Sequence, residues 1–324
     1  MAWFLVGVLL SAGVGVGASA AYVALRPGGG GSAGPHTLTL TDDLGRNETV
    51  PYDPARVAVL SPSILDEMFR LGLRSHVVGV DCYAPTLGGL STDYSPDQVA
   101  LWSLSSAMCV EVGPSFDVET LLNLTPQLVL ASTIVSVSAV QEISSTYHIP
   151  VVMLQPPTLS GILIDDSLLG RIFGVGGGAA EVNARLTGEL ANASNLPNTV
   201  ASFPTVLLTY STDSNGYWTF GPGTFGQSLI ELAGASSIGA NATLPYPELA
   251  PEQVLADQPD RIVYATGYGL NLSSYQSAPL WSSLSAVQHG NLSGIDSNWV
   301  TEPDPTMILE GLPALIALFH PGGS

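Results

Sequence analysis

Two stretches of this chain repeat one another at long range. Glu119, Leu122, Pro126 and the pair Val129-Leu130 recur as Glu252, Leu255, Pro259 and Ile262-Val263, each displaced by 133 residues. A carboxylate suits the positive end of a short helix, a proline stops that helix, and the apolar run after it is a strand buried on both faces. A unit of helix, stop and buried strand that recurs in both halves restricts the chain to two similarly built α/β lobes. The length of 324 residues, more than one core usually serves, agrees with this.

The remaining elements fall into place around the repeat. VAVLS (57–61), a helix from about Ser63 to Leu71 closed by Gly72, VVGVDCY (77–83), LVLAS, a helix around 137–147 and IPVVML make an N-terminal α/β lobe over residues 37–156. TVLLTYS (205–211) begins the second lobe, residues 197–324. Between them, Leu163, Leu168, Leu169, Ile172, Phe173, Val182, Leu186 and Leu190 recur at helical spacing around GVGGG. The spacing predicts one long connecting helix over 157–196, bent at the glycines, with Asp165 and Asp166 on its charged face. A single helical strut predicts little hinge motion between the lobes.

Residues 2–25, AWFLVGVLLSAGVGVGASAAYVAL, are long enough as a helix to cross a hydrocarbon layer of roughly 30 Å. The segment 1–26 is expected to be a transmembrane anchor or a long secretion signal, and its lack of a basic start favours the anchor. Residues 27–36, GGGGSAGP among them, come next as a flexible tether. Arg26 favours a cytoplasmic location for the chain beyond it, whereas six Asn-x-Ser/Thr glycosylation sequons, at Asn47, Asn123, Asn192, Asn241, Asn271 and Asn291, favour the outside. Cys82 and Cys109 are spaced for a single disulfide in an oxidising compartment, with two buried thiols as the alternative. No Cys-x-x-Cys or paired histidine accompanies them, so a metal site is not expected.

The formal charge is −19, and all eight basic residues are isolated arginines. A field of that sign repels phosphate and excludes a nucleic-acid-binding role. Only 11% of residues are charged, which suggests life outside the cell in an acidic medium. Two stretches, Gly221 to Gly226 (GPGTFG) and Gly174 to Ala179, fit glycine-rich dinucleotide patterns. Pro222 removes a donor from the first, no acidic residue is expected to end a strand about 20 residues on to hold a ribose, and the second lies inside a helical stretch. The five histidines stand singly and are expected in solvated turns, and no nucleophile elbow is present. No catalytic constellation is visible, so binding is the leading class and an enzyme is not expected. Aromatics at strand ends and in Pro/Gly-rich loops, Tyr83, Phe116, Tyr210, Trp218, Phe220, Tyr246 and Trp299, are candidates to line an apolar cleft, with Ser61 and Pro62 at the end of the first lobe's leading strand.

The blocks DDLGRNETVPYDPARVAVLSPSILDEMFRLGLRSHVVGVDCYAP, VGPSFDVETLLNLTPQLVLAS, YWTFGPGTFGQSLIELAGASSI, LAPEQVLADQPDRIVYA, PLWSSLSAVQHGNLSGID and EGLPALIALFHP resemble, in order, the cobalamin and iron-siderophore class of ABC-transporter substrate-binding proteins. The resemblance covers residues 38–320. It implies two Rossmann-like lobes joined by a backbone helix, ligand held between them, and delivery to a membrane permease driven by an ATPase. It also implies that Glu119 and Glu252 dock the lobes onto that permease. The chain would act as a monomer without a cofactor of its own.

The late arginine common in this family is replaced here by Asp304-Pro305-Thr306, and the chain has no lysine. An anionic siderophore or haem would lack a cationic partner. The expected cargo is therefore a corrinoid such as cobalamin, with a neutral ferric hydroxamate second. The rival readings are a nucleotide-dependent enzyme and a non-transport surface receptor on the same two lobes.

Overall fold

The computed structural model describes residues 36–82, 109–110, 116–133, 135–196, 202–213, 215–267 and 270–321. The apolar segment 2–25, residues 27–35 of the tether, and Tyr83 lie outside the described residues. Among the described residues no helix is long and apolar enough to cross a membrane.

The first lobe opens with an antiparallel ribbon of β1 (Thr37–Thr41) and β2 (Asn47–Pro51). Asp42 at its turn accepts from the Leu44 and Arg46 amides and holds the Arg46 guanidinium at 2.6 Å. Next come β3 (Val57–Leu60), α1 (Pro62–Arg70), β4 (Val77–Asp81), β5 (Cys109–Val110), α2 (Val118–Asn123), β6 (Leu128–Ala131), α3 (Val137–Gln141) and β7 (Val151–Met153). The parallel sheet has the order β5-β4-β3-β6-β7. VAVL, LVLA and VVM are buried at every position, as strands covered by helices on both faces must be. Cys82 and Cys109 are joined by a disulfide, with Cα atoms 4.9 Å apart.

The ribbon is stitched to the edge strand β7. Asp43 N donates to Met153 O at 3.1 Å, Met153 N to Asp42 Oδ2 at 3.2 Å, Gln155 N to Asp43 Oδ2 at 2.6 Å, and Arg46 Nη2 to Val151 O at 2.9 Å.

The connector differs from the expected single bent helix. It is a helical hairpin of α4 (Leu159–Ile172) and α5 (Gly176–Ser194). Asn183 Nδ2 on α5 donates to Leu163 O (2.8 Å) and Ser167 Oγ (2.9 Å) on α4, so the two helices run antiparallel. The reversal is made at Gly174, whose φ of +71° only glycine adopts easily and against which the Tyr52 hydroxyl lies. Close approach is possible because Gly170 carries no side chain: a Cβ there would stand 2.6 Å from that of Ala179. Asp165 and Asp166 are not on a charged face. They are 1% and 0% exposed, because α4 is apolar nearly all round and is covered on several sides.

The second lobe contains β8 (Thr205–Thr212), β9 (Tyr217–Thr219), α6 (Phe225–Leu232), β10 (Ser236–Ser237), β11 (Glu248–Leu249), α7 (Pro251–Asp257), β12 (Arg261–Thr266), α8 (Leu272–Gln276), α9 (Ser285–Gln288), β13 (Leu292–Asp296), α10 (Asn298–Thr301) and α11 (Leu312–Phe319). Its sheet runs β11-β9-β8-β12-β13, with β10 beside β8. The long-range repeat corresponds to α2 with β6 and α7 with β12, each strand lying next to the leading strand of its lobe. The likeness extends beyond the residues first matched. Leu121 and Val254 are the fully buried anchors of the two helices, and Thr125 and Gln258, again 133 apart, both take left-handed φ values of 45° and 43° just before the buried prolines. Each anchor contributes about 1.5–3 kcal/mol of burial.

One apolar cluster runs through both lobes. Val57, Val59 and Leu130 of the first sheet, Ile162, Leu169, Leu186 and Leu190 of the hairpin, and Val206, Leu208 and Val263 of the second sheet belong to it. Separate clusters cover the far face of each sheet. The lobes therefore share a core instead of being linked by a strut. Two histidines also depart from the expected solvated turns. His76 Nδ1 lies 2.9 Å from Pro54 O with its ring edge on Phe173, and His320 Nε2 lies 3.1 Å from Ala233 O.

Candidate functional site

A cavity of about 270 Å³ opens where the ends of both sheets face one another. The first lobe supplies Ser63 after β3, Ser132 and Thr133 after β6, and Gln155 after β7. These lie past the carboxyl ends of parallel strands, where open α/β sheets place ligands. The second lobe supplies Tyr210, Phe220, Phe225 and Tyr246, and then Thr301, Glu302 and Pro303 from the end of α10. One wall carries neutral hydrogen-bonding groups and the other is aromatic. No arginine or histidine lies among the lining residues described.

The glycine-rich stretch at 221–226 builds the aromatic wall instead of cradling a phosphate. A Cβ on Gly226 would lie 2.2 Å from the Phe220 ring, and one on Gly221 would meet Leu244 O, so both glycines allow close passage. Thr224 caps α6 by accepting from Gln227 N at 3.1 Å, which sets Phe225 at the helix start. Phe220, 2% exposed, is the hub of the wall: its centroid lies 4.9 Å from Tyr210, 5.6 Å from Phe225 and 6.3 Å from Tyr246. Burial, reinforced by the neighbouring Tyr246, pushes the Tyr210 hydroxyl up to about 12, so it stays a neutral donor. Tyr246 is 45% exposed and stands at the rim.

On the opposite wall, Gln155 Oε1 accepts from Thr133 N (3.1 Å) and Thr133 Oγ1 (2.9 Å). The amide nitrogen of Gln155 is thus the end offered to a ligand. Glu302 is the one carboxyl among the described lining residues. Loss of solvation, with the charge of Asp81 at the end of β4, raises it to about 7.

The expected binding residues divide. Tyr210, Phe220 and Tyr246 line the cavity. Ser61 and Pro62 are buried just behind it, with Ser61 Oγ 2.8 Å from the lining Ser63 Oγ. Phe116 packs on the far side of the first sheet, Trp218 sits half-buried on β9, and Trp299 packs against the shared core with Gly311 pressed to its backbone. Ser63, Ser132, Thr133, Gln155, Phe225, Thr301, Glu302 and Pro303 were not anticipated. Strand ends were the usable signal for the first four, since each lies within three residues of one.

Glu119 and Glu252 are both exposed and stand second in α2 and α7. All six sequon asparagines are exposed, Asn271 also capping α8. Among the described residues no group of three or more His, Cys, Asp or Glu is placed to hold a metal ion.

Comparison with known proteins places this architecture. The sequence pattern of the family described as "Periplasmic binding protein" matches residues 57–299. The chain is 29% identical over 282 residues to a "Cobalamin-binding protein" of Halobacterium salinarum, covering 84% of this chain and 71% of that protein. In three dimensions it is similar to the periplasmic vitamin B12 binding protein BtuF of Vibrio cholerae (TM-score 0.64, 21% identity, 83% of this chain and 98% of that one). It is likewise similar to the molybdate periplasmic binding protein MolA of Haemophilus influenzae (TM-score 0.71, 18% identity, 86% and 90%). At such identities the solved structures speak to the fold alone.

Proposed function

This chain belongs to the periplasmic binding protein family, a family of binding proteins and not of enzymes, and we propose that it is the substrate-binding component of an ABC importer whose cargo is a corrinoid. The observation that carries the cargo is the two-sided cleft. A flat macrocycle edged with amides has apolar faces for Tyr210, Phe220 and Tyr246, and amide groups for Gln155, Thr133 and the serines. The absence of cationic side chains among the described lining residues disfavours haem and ferric catecholates, whose charge would go unpaired. The cobalamin-binding relative supports the same choice. The cavity is smaller than the macrocycle, so the ligand would be gripped by one edge while the rest stands between the rims.

Delivery would use Glu119 and Glu252, one exposed carboxylate at the same repeat position in each lobe, against a basic permease mouth. Residues 2–25 would anchor the chain with the lobes outside the cytoplasm, and the exposed sequons would be open to glycosylation. The test is the absorbance spectrum and tryptophan quenching of the full chain, in detergent, with cobalamin, a neutral ferric hydroxamate and haem. Saturable cobalamin binding is expected; preferential binding of haem would overturn the corrinoid reading.

A further inference from the structure

Glu302 is an unusual group to find in a cleft otherwise lined by hydroxyls, one amide and aromatic rings. It follows directly on α10, and Asp304 N donates back to its carbonyl at 2.9 Å, which closes a tight turn over Glu302, Pro303 and Asp304. The charges acting on it among the described residues are acidic: Asp81 at the end of β4 in the other lobe, and Asp304 two residues on along its own segment. The remaining titratable groups on the cavity wall are Tyr210 and Tyr246, both with hydroxyls held neutral by burial. No arginine lines the cavity among the described residues to neutralise Glu302.

We propose that Glu302 is the group that selects the charge state of the cargo, accepting a hydrogen bond from a neutral amide on the ligand's edge and turning away ligands that present a carboxylate there. The inference rests on the corrinoid reading and deepens it. A primary amide has a donor and an acceptor side. Glu302 meets the first, and the Gln155 amide nitrogen, fixed by the Thr133 contacts, meets the second. A ligand carboxylate offers no donor and adds a third negative charge to Glu302 and Asp81, in a site where charge is poorly screened. Because Glu302 titrates near neutrality, discrimination should be strong where it is ionised and weak where it is protonated and can itself donate.

The experiment compares cobalamin with its monocarboxylic acid derivative, one side-chain amide hydrolysed, on the full chain at pH 8.5 and 5.5. At pH 8.5 cobalamin should bind at least about tenfold more tightly, and at pH 5.5 the ratio should fall to about threefold or less, as expected for losing one close charge repulsion. In Glu302→Gln the ratio should be small at both pH values, and in Glu302→Arg it should invert in favour of the acid. A Glu302→Gln protein that binds cobalamin with the wild-type ratio at both pH values overturns this inference alone. Wild-type protein that binds neither compound overturns the corrinoid reading and this inference with it. Far-ultraviolet circular dichroism of each variant separates lost selectivity from lost fold.

Discussion

Arg70 and Thr306, 236 positions apart, are joined at 2.7 Å: the guanidinium Nη2 of the first lobe's α1 donates to the threonine hydroxyl at the entrance to the last helical segment. Thr306 in turn donates to Asp66 Oδ2 at 3.0 Å, and Arg70 Nε closes the triangle on the same oxygen at 2.7 Å. Around this triangle lie Glu67, Asp166 and Asp304, all buried. Removing the cation as Arg70→Met should leave Asp66 buried among acids. A loss of about 3 kcal/mol is expected, the scale for breaking a buried pair by deleting one partner. Urea unfolding at pH 7 measures it, and an unchanged midpoint would show that the triangle carries no stability.

The same group of acids sets a pH dependence. Burial, then neighbouring acids, raises Asp165 to about 9 and Asp166 to about 7, and lifts Glu67 and Asp304 well above the usual carboxylate range. A carboxyl whose folded pKa lies above its unfolded value binds more protons in the native state. Its contribution is complete below about pH 4 and is lost as pH rises through the folded pKa. The half-buried Asp117 and the exposed Asp213 and Asp260 are shifted down by local hydrogen bonds and act in the opposite sense, below about pH 4. The melting temperature should therefore fall by about 5–10 °C between pH 5 and pH 9. Asp166→Asn, which removes an ionisable group whose two oxygens lack hydrogen-bond partners among the described residues, should flatten that fall. A melting temperature that instead peaks at pH 8 would contradict the assignment.

Gly226→Ala tests the aromatic wall. The new methyl would stand 2.2 Å from the Phe220 ring, so the ring must move into the cleft. Overpacking of this kind costs about 1–3 kcal/mol, and cobalamin affinity should fall at least fivefold. If calorimetry finds wild-type melting and titration finds wild-type affinity, Phe220 is not the hub described.

Glu119→Ala and Glu252→Ala probe delivery. Both side chains are exposed and neither is among the residues lining the cavity, so cobalamin affinity should be unchanged. Uptake by cells should drop roughly tenfold in the double variant, since rim charges govern encounter between partners. Normal uptake would leave the two glutamates only the local task of favouring the starts of α2 and α7.

What was legible in the sequence is what short-range chemistry determines. The repeat could be read from Glu119 and Glu252 because helix starts, proline stops and buried strands each leave a local mark, and three aromatics near strand ends proved to line the cleft. Glu302 was not legible. An acid in Thr-Glu-Pro-Asp-Pro looks like any solvated turn, and its raised pKa depends on burial in the cleft and on the charge of Asp81, more than two hundred residues earlier. The hairpin was misread because helical periodicity continues on both sides of Gly174, and periodicity is blind to a chain reversal between two helices of similar pattern. For Asp165 and Asp166 a signal did exist: their neighbours Ile162, Leu168 and Leu169 leave α4 no wholly polar side.

The ribbon at the start of the lobes has a mechanical meaning. If the chain is held by its first residues, any tension enters at β1 and reaches the body of the protein through Asp42, Asp43 and Arg46, whose bonds to β7 and the residues after it share the load. One of those bonds ends on the backbone of Gln155, and the side chain of Gln155 lines the cleft. On the proposed function, pulling on the tether and gripping the cargo would converge on a single residue.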